Sequence, residues 1–132
     1  MVNLSVTSSV LIEEGLALSL ASELEAEAYA RATVTLDQGG SRKVSLLPQD
    51  GTPVLLAVRA STASGEQATV RVRPNPPETG DDAEQNWIEV DGALLISGAD
   101  VLKGLGTPRS LGIENTGAEP ATVDILSCLD LS

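Results

Sequence analysis

The stretch Leu24-Glu25-Ala26-Glu27-Ala28-Tyr29-Ala30-Arg31-Ala32-Thr33-Val34-Thr35-Leu36 alternates apolar and polar residues from end to end. Two readings of it compete. Ser22-Glu23-Leu24-Glu25 has the Ser-x-x-Glu spacing of a helix capping box, and Glu, Ala and Arg are good helix formers. A helix, however, would gather Leu24, Ala28 and Ala32 on a narrow stripe with Glu and Tyr crowded beside it. A strand places every apolar residue on one face and every polar residue on the other. The alternation therefore predicts a β-strand. Leu16, Leu18 and Leu20 extend the pattern upstream and Ser22 interrupts it, so a bend or bulge is expected near residues 21–23.

Outward from this strand, turn signals recur at strand-like intervals. They are Glu13-Glu14-Gly15, Asp37-Gln38-Gly39-Gly40, Asp50-Gly51, Ser64-Gly65, Asp91-Gly92 and Asn115-Thr116-Gly117. Each offers a residue that tolerates positive φ. Between them lie short runs with strand-like patterns: Val44 to Leu47, Val54 to Ala60, Ala68 to Arg73, Trp87 to Val90, Ala93 to Ile96, Leu111 to Asn115 and Thr122 to Leu129. Ile88-Glu89-Val90 and Leu94-Leu95-Ile96 flank Asp91-Gly92, a dipeptide suited to a type I′ turn, and so predict a hairpin. Ala99 to Gly104 reads as a helical turn ended by Gly104, Gly106 and Pro108.

About eight to ten short strands joined by Gly-rich turns imply an all-β fold, an antiparallel β-sandwich that is jelly-roll-like or immunoglobulin-like. A β-barrel is the second choice, and no Cys pair brackets Trp87 as an immunoglobulin domain would require. A single domain over residues 1–132 is expected, with an exposed Pro-rich and acidic loop at about 74–85.

Composition bounds the chemistry. Leu, Val and Ile supply 36 of 132 residues, enough for a core and too many for a disordered chain. Phe is absent and Trp87 and Tyr29 are the only aromatics, so that core must be aliphatic. Eight basic against 19 acidic residues give a net charge of −11. A nucleic-acid surface needs clustered Lys and Arg with aromatic platforms, and an anionic membrane repels such a chain, so neither is an expected partner. The N-terminal residues show no basic segment followed by an apolar run, and no run approaches a membrane span, so neither a signal peptide nor a transmembrane segment is expected.

With no His, the usual Ser-His and Cys-His nucleophilic pairs are excluded, as is the commonest zinc ligand. Lys43 and Lys103 are the only lysines, and neither follows a Ser at the Ser-x-x-Lys spacing. No Gly-x-Ser-x-Gly elbow occurs, and Gly104-Leu105-Gly106 meets Arg109 where a dinucleotide loop requires glycine. No catalytic residues, cofactor or metal site are therefore expected. Calcium, which takes oxygen ligands, is the metal the composition still permits, through Glu78, Asp81, Asp82 and Glu84 of the long loop. The lone Cys128 lies in an apolar run and reads as a buried thiol.

Partner-binding residues are sought among exposed charge and unusual types. Glu23, Glu25 and Glu27 share one face of the alternating stretch, as do Glu89 and Asp91, and either face could be neutralised by Arg59, Arg71 or Arg73 across strands. Trp87 opens a strand just after the acidic loop, reading as a core-edge residue or an exposed anchor. With Pro76 and Pro77 of the loop, Trp87, Glu23, Glu25 and Glu27 form the candidate partner-binding set.

The segment Gly104-Leu105-Gly106-Thr107-Pro108-Arg109-Ser110-Leu111-Gly112-Ile113-Glu114-Asn115-Thr116-Gly117, with Ala121-Thr122-Val123-Asp124-Ile125, resembles a pattern in small virion proteins of tailed bacteriophages. In those proteins a strand runs into Asn and a small turn before a final strand. The resemblance implies a capsid decoration (cement) or accessory virion protein, non-enzymatic, without cofactor and located in the virion. It further implies a symmetric homo-oligomer, such as a trimer, bound to the major capsid or another virion protein. The alternative expectation is a calcium- or carbohydrate-binding β-sandwich interaction module.

Overall fold

The computed structural model describes residues 2–13, 15, 17–46, 51–76 and 87–130. Among these described residues, ten strands and one short helix follow in the order β1 (Val2–Leu11), β2 (Ala17–Ala26), β3 (Ala28–Leu36), β4 (Ser41–Ser45), β5 (Thr52–Thr62), β6 (Thr69–Pro74), β7 (Ile88–Asp91), β8 (Ala93–Ser97), α1 (Ala99–Gly104), β9 (Ser110–Asn115) and β10 (Ala121–Asp130). Eight of the strands build two antiparallel sheets, ordered β3-β10-β5-β8 and β4-β9-β6-β7. The remaining two, β1 and β2, form a separate two-stranded sheet.

The protein is an all-β sandwich of antiparallel sheets. Its strand order is that of a jelly roll: each sheet takes strands alternately from the two ends of the sandwich segment, and pairing is almost wholly non-local. The immunoglobulin-like and closed-barrel alternatives are thereby set aside. Two-residue periodicity fills the space between the sheets. Val34, Leu36, Leu56, Val58, Val123 and Ile125 from one sheet meet Val70, Val72, Val90, Leu111 and Ile113 from the other, and Leu102 of α1 joins the same cluster. As the composition requires, no aromatic ring enters this cluster.

Two side-chain clamps hold the ends. Asn115 is 1% exposed; its amide donates to the carbonyls of Leu36, Asp37 and Glu119, and its Oδ1 accepts from the Gly117 N–H at 3.0 Å. One buried side chain thus ties the β3–β4 turn to the β9–β10 turn with its polar atoms satisfied. Asn75, at φ 48°, accepts from the Arg109 N–H at 2.7 Å and donates to Gly106 O at 2.8 Å, fixing the chain after β6 to the segment before β9.

Three local expectations need correction. The alternating stretch is not one strand. It is divided at Glu27, where the chain leaves β1 as partner and takes up β10, and the Glu27 N–H bonds to Leu129 O at 2.8 Å. No bend occurs at 21–23, since Ser22 stays in register opposite Val6. Asp91-Gly92 does not close a hairpin either. β7 pairs with β6 and β8 with β5, so this dipeptide carries the chain from one sheet to the other. Gly92 takes φ +84° there, donates to Ala68 O and accepts from the Ala60 N–H. Gly92 alone takes positive φ, so the type I′ turn does not form, and each flanking strand gains more as the outermost strand of a four-stranded sheet than as half of an isolated ribbon.

Candidate interaction surfaces

The β1–β2 hairpin is an arm. Its register sets Leu4 opposite Leu24, Val6 opposite Ser22, Ser8 opposite Leu20 and Val10 opposite Leu18, so one face is predominantly apolar along its length. At the root this face is covered: Leu4, Val6 and Leu24 pack with Ala26 against Leu55 and Cys128 of the sandwich. Cys128 is fully buried there, and burial pushes its thiol pKa up. Beyond the root the cover ends. Val10 is 52% exposed, Leu18 57% and Leu20 51%, and every described residue from 17 to 23 is exposed.

The arm root rests on the outer side of the β3-β10-β5-β8 sheet. Register places Arg31, Leu126, Ala57 and Leu95 in one row across the four strands, with Tyr29, Cys128, Leu55 and Ser97 in the next. Tyr29 and Leu95 are exposed, and with Leu126 and Ala57 they line an open, mainly apolar groove of about 600 Å³ that continues from the patch beneath the arm root. One further row carries Thr33, Asp124, Arg59 and Ala93. Asp124 accepts from Thr33 Oγ1 at 2.7 Å and pairs with Arg59 Nη2 at 2.8 Å. The Arg59 hydrogen bond, followed by that from Thr33, holds its carboxyl below the usual carboxylate range.

The outer side of the other sheet has a different character. Arg71 Nη2 pairs with Glu114 Oε2 at 2.9 Å across β6 and β9. The Trp87 ring lies over that guanidinium, with its centroid 4.4 Å from Arg71 Cζ and 5.7 Å from Arg73 Cζ. Pro76 folds back over Gly112, where an added Cβ would meet the proline ring at 3.3 Å. Gly112 thus serves close approach of the chain that follows β6.

The predicted partner-binding residues divide between these surfaces. Glu23 lies on the polar face of the arm, opposite Ser5, and Glu25 pairs in register with Asn3. Glu27 sits at the break between β2 and β3, outside both ladders, so the expected single face of three glutamates does not form. The arginines proposed to neutralise them pair elsewhere, Arg59 with Asp124 and Arg71 with Glu114. Trp87 and Pro76 lie on the opposite sheet, where Trp87 is partly buried against the arginines of its own chain. Pro77 and the acidic residues Glu78, Asp81, Asp82 and Glu84 lie outside the described residues. Among the described residues no group of three or more His, Cys, Asp or Glu could hold a metal ion, and no helix is long and apolar enough to cross a membrane.

Sequence reasoning missed β1 and the groove. The alternation of Val2, Leu4 and Val6 with Asn3, Ser5 and Thr7 was the available signal for the strand. The groove had none, since Tyr29, Ala57, Leu95 and Leu126 come from four separate strands.

Fold and surfaces together define a jelly-roll sandwich bearing a β-arm. No protein-family model matches the chain, and no curated protein matches it. Among solved structures, the crystal structure of the Yersinia pseudotuberculosis-derived mitogen is similar over 80% of this chain and 88% of that chain, with 15% sequence identity and a TM-score of 0.42.

Proposed function

We propose that this protein is a non-enzymatic structural component of a virus particle, a decoration or cement protein that sits on shell subunits as a symmetric oligomer. The observation that carries the reading is the β-arm, whose apolar face continues past the body of the protein into solvent. A two-stranded ribbon is marginal in water, and exposed apolar side chains along one face suit an element that gains its cover on assembly. The jelly roll is widespread among viral capsid proteins and lectins, and the resemblance of residues 104–125 to tailed-phage virion proteins favours the first of these settings.

The test is sedimentation. Particles from cells that produce this chain are banded on a density gradient and their proteins quantified by mass spectrometry. The reading expects the chain in the particle band at a fixed ratio to the shell protein, resistant to a salt wash. Recovery only in the free-protein fractions would overturn it.

A further inference from the structure

We infer that the distal half of the arm docks in the outer-face groove of a second copy of this chain. The inference deepens the oligomeric part of the proposed function and rests on that reading, with a test of its own. Three observations meet in it.

The first is continuity. In its own chain the arm root already packs an apolar strand face on Leu55 and Cys128, and the groove of Leu126, Ala57, Leu95 and Tyr29 extends that same sheet face. The second is unmet demand on both sides. Val10, Leu18 and Leu20 are more than half exposed on the arm, as is Tyr29 in the groove, while Leu95 is 45% exposed. No described residue of β1 or β2 lines the groove, so within one copy the two surfaces are apart and a second copy can bring them together.

The third is charge. Residues 2–26 carry four glutamates and no basic residue, which makes the arm wholly acidic. The groove is bordered by Arg31 and Arg59 with Asp124 as its acid, leaving one net positive charge on an otherwise strongly acidic chain. An acidic partner is thus drawn to this face and repelled by most of the rest of the surface. The distal arm supplies both the apolar face and the acid, with Glu13 at its tip, while Glu23 sits nearer the root on the polar face. Arm exchange closes as a two-fold dimer or as a small ring.

The experiment is light scattering after size exclusion on the full chain at micromolar concentration. The wild type is expected as a dimer or small ring. An arm variant, Leu18→Glu with Leu20→Glu, and a groove variant, Leu95→Glu, should each be monomeric, with self-association weakened at least tenfold. Mixing the two variants should restore a heterodimer, because one retains a working groove and the other a working arm. Circular dichroism melts check folding, and Arg31→Glu, at an exposed position, replaces Leu95→Glu if that variant unfolds. A monomeric wild type, an oligomer indifferent to either variant, or a mixture that stays monomeric would each overturn the inference. A monomer that still bands with particles would defeat arm exchange and spare the particle reading, whereas an arm-exchanged oligomer absent from particles would do the reverse.

Discussion

The arm and the sandwich are written in the same pattern and meet opposite fates. Leu20 on β2 and Val123 on β10 both occupy the apolar phase of a two-residue alternation, yet Leu20 is 51% exposed and Val123 is fully buried. The difference is the second layer. Val123 faces β6 and β9 across the core, while the far half of β2 has only β1 beside it and nothing described above it. Burying one such side chain is worth roughly 1.5–3 kcal/mol, a gain the sandwich realises and the isolated arm does not. Period two therefore marks a strand face that seeks cover, and it is silent on where the cover comes from.

The comparison breaks most readily in the core. Leu111→Ala, at a fully buried position, should cost about 2–5 kcal/mol in urea unfolding, whereas Leu20→Ala on the arm, compared in the monomeric Leu95→Glu background, should stay within about 0.5 kcal/mol. Similar losses at the two sites would show that the arm is part of the folding core. A smaller effect is expected at Asn115→Ala, where the carbonyls of Leu36, Asp37 and Glu119 and the Gly117 N–H lose their partner together. About 1–3 kcal/mol is anticipated by the same measurement, with no effect on the arm.

The boundary between the regions can be read through Cys128, which lies beneath the arm root. Labelling by a thiol reagent should be slow in the native protein. It should accelerate at least tenfold in Leu24→Asp, which undocks the root, while the thermal melt of the sandwich shifts by only a few degrees. Acceleration that appears only together with global unfolding would contradict separate opening of the arm.

The smallest effect is electrostatic. Arg59 and Thr33 lower the Asp124 pKa in the folded state, so the linkage adds stability above its ordinary value near 3.8 and is lost as pH falls through the depressed value. The melting-temperature gap between wild type and Asp124→Asn should accordingly be present at pH 6 and shrink between about pH 5 and pH 2. A gap that widens on acidification would reverse the assigned direction.

Much of the sandwich was legible because its cues are local. Val54 to Ala60 and Thr122 to Leu129 lie inside observed strands, and the helical turn at Ala99 to Gly104 is observed with those bounds. What failed was partnership. Glu27 looks like one more polar position in an alternating run, and only the change from β1 to β10 makes it a break. Asp91-Gly92 has the chemistry of a tight hairpin, but a turn residue fixes only the path of the chain over a few bonds. Where the flanking strands go afterwards depends on edges supplied by β5 and β6, which begin tens of residues earlier. Glu23 and Trp87, grouped together on the sequence, lie on different parts of the fold, the one on the arm and the other against Arg71 of the β4-β9-β6-β7 sheet.

By itself the sequence determined a β-rich chain with an aliphatic core, without histidine chemistry and with an acid excess concentrated in part on its first 26 residues. These are properties of composition and of neighbours one or two positions apart. The tertiary structure alone decided that β3 lies against β10, that one stretch of alternation serves both an arm and a wall, and that Tyr29, Ala57, Leu95 and Leu126 share a groove. The physical reason is that side-chain phase is set within a strand by the pleat, whereas pairing and cover are set between strands far apart in the chain.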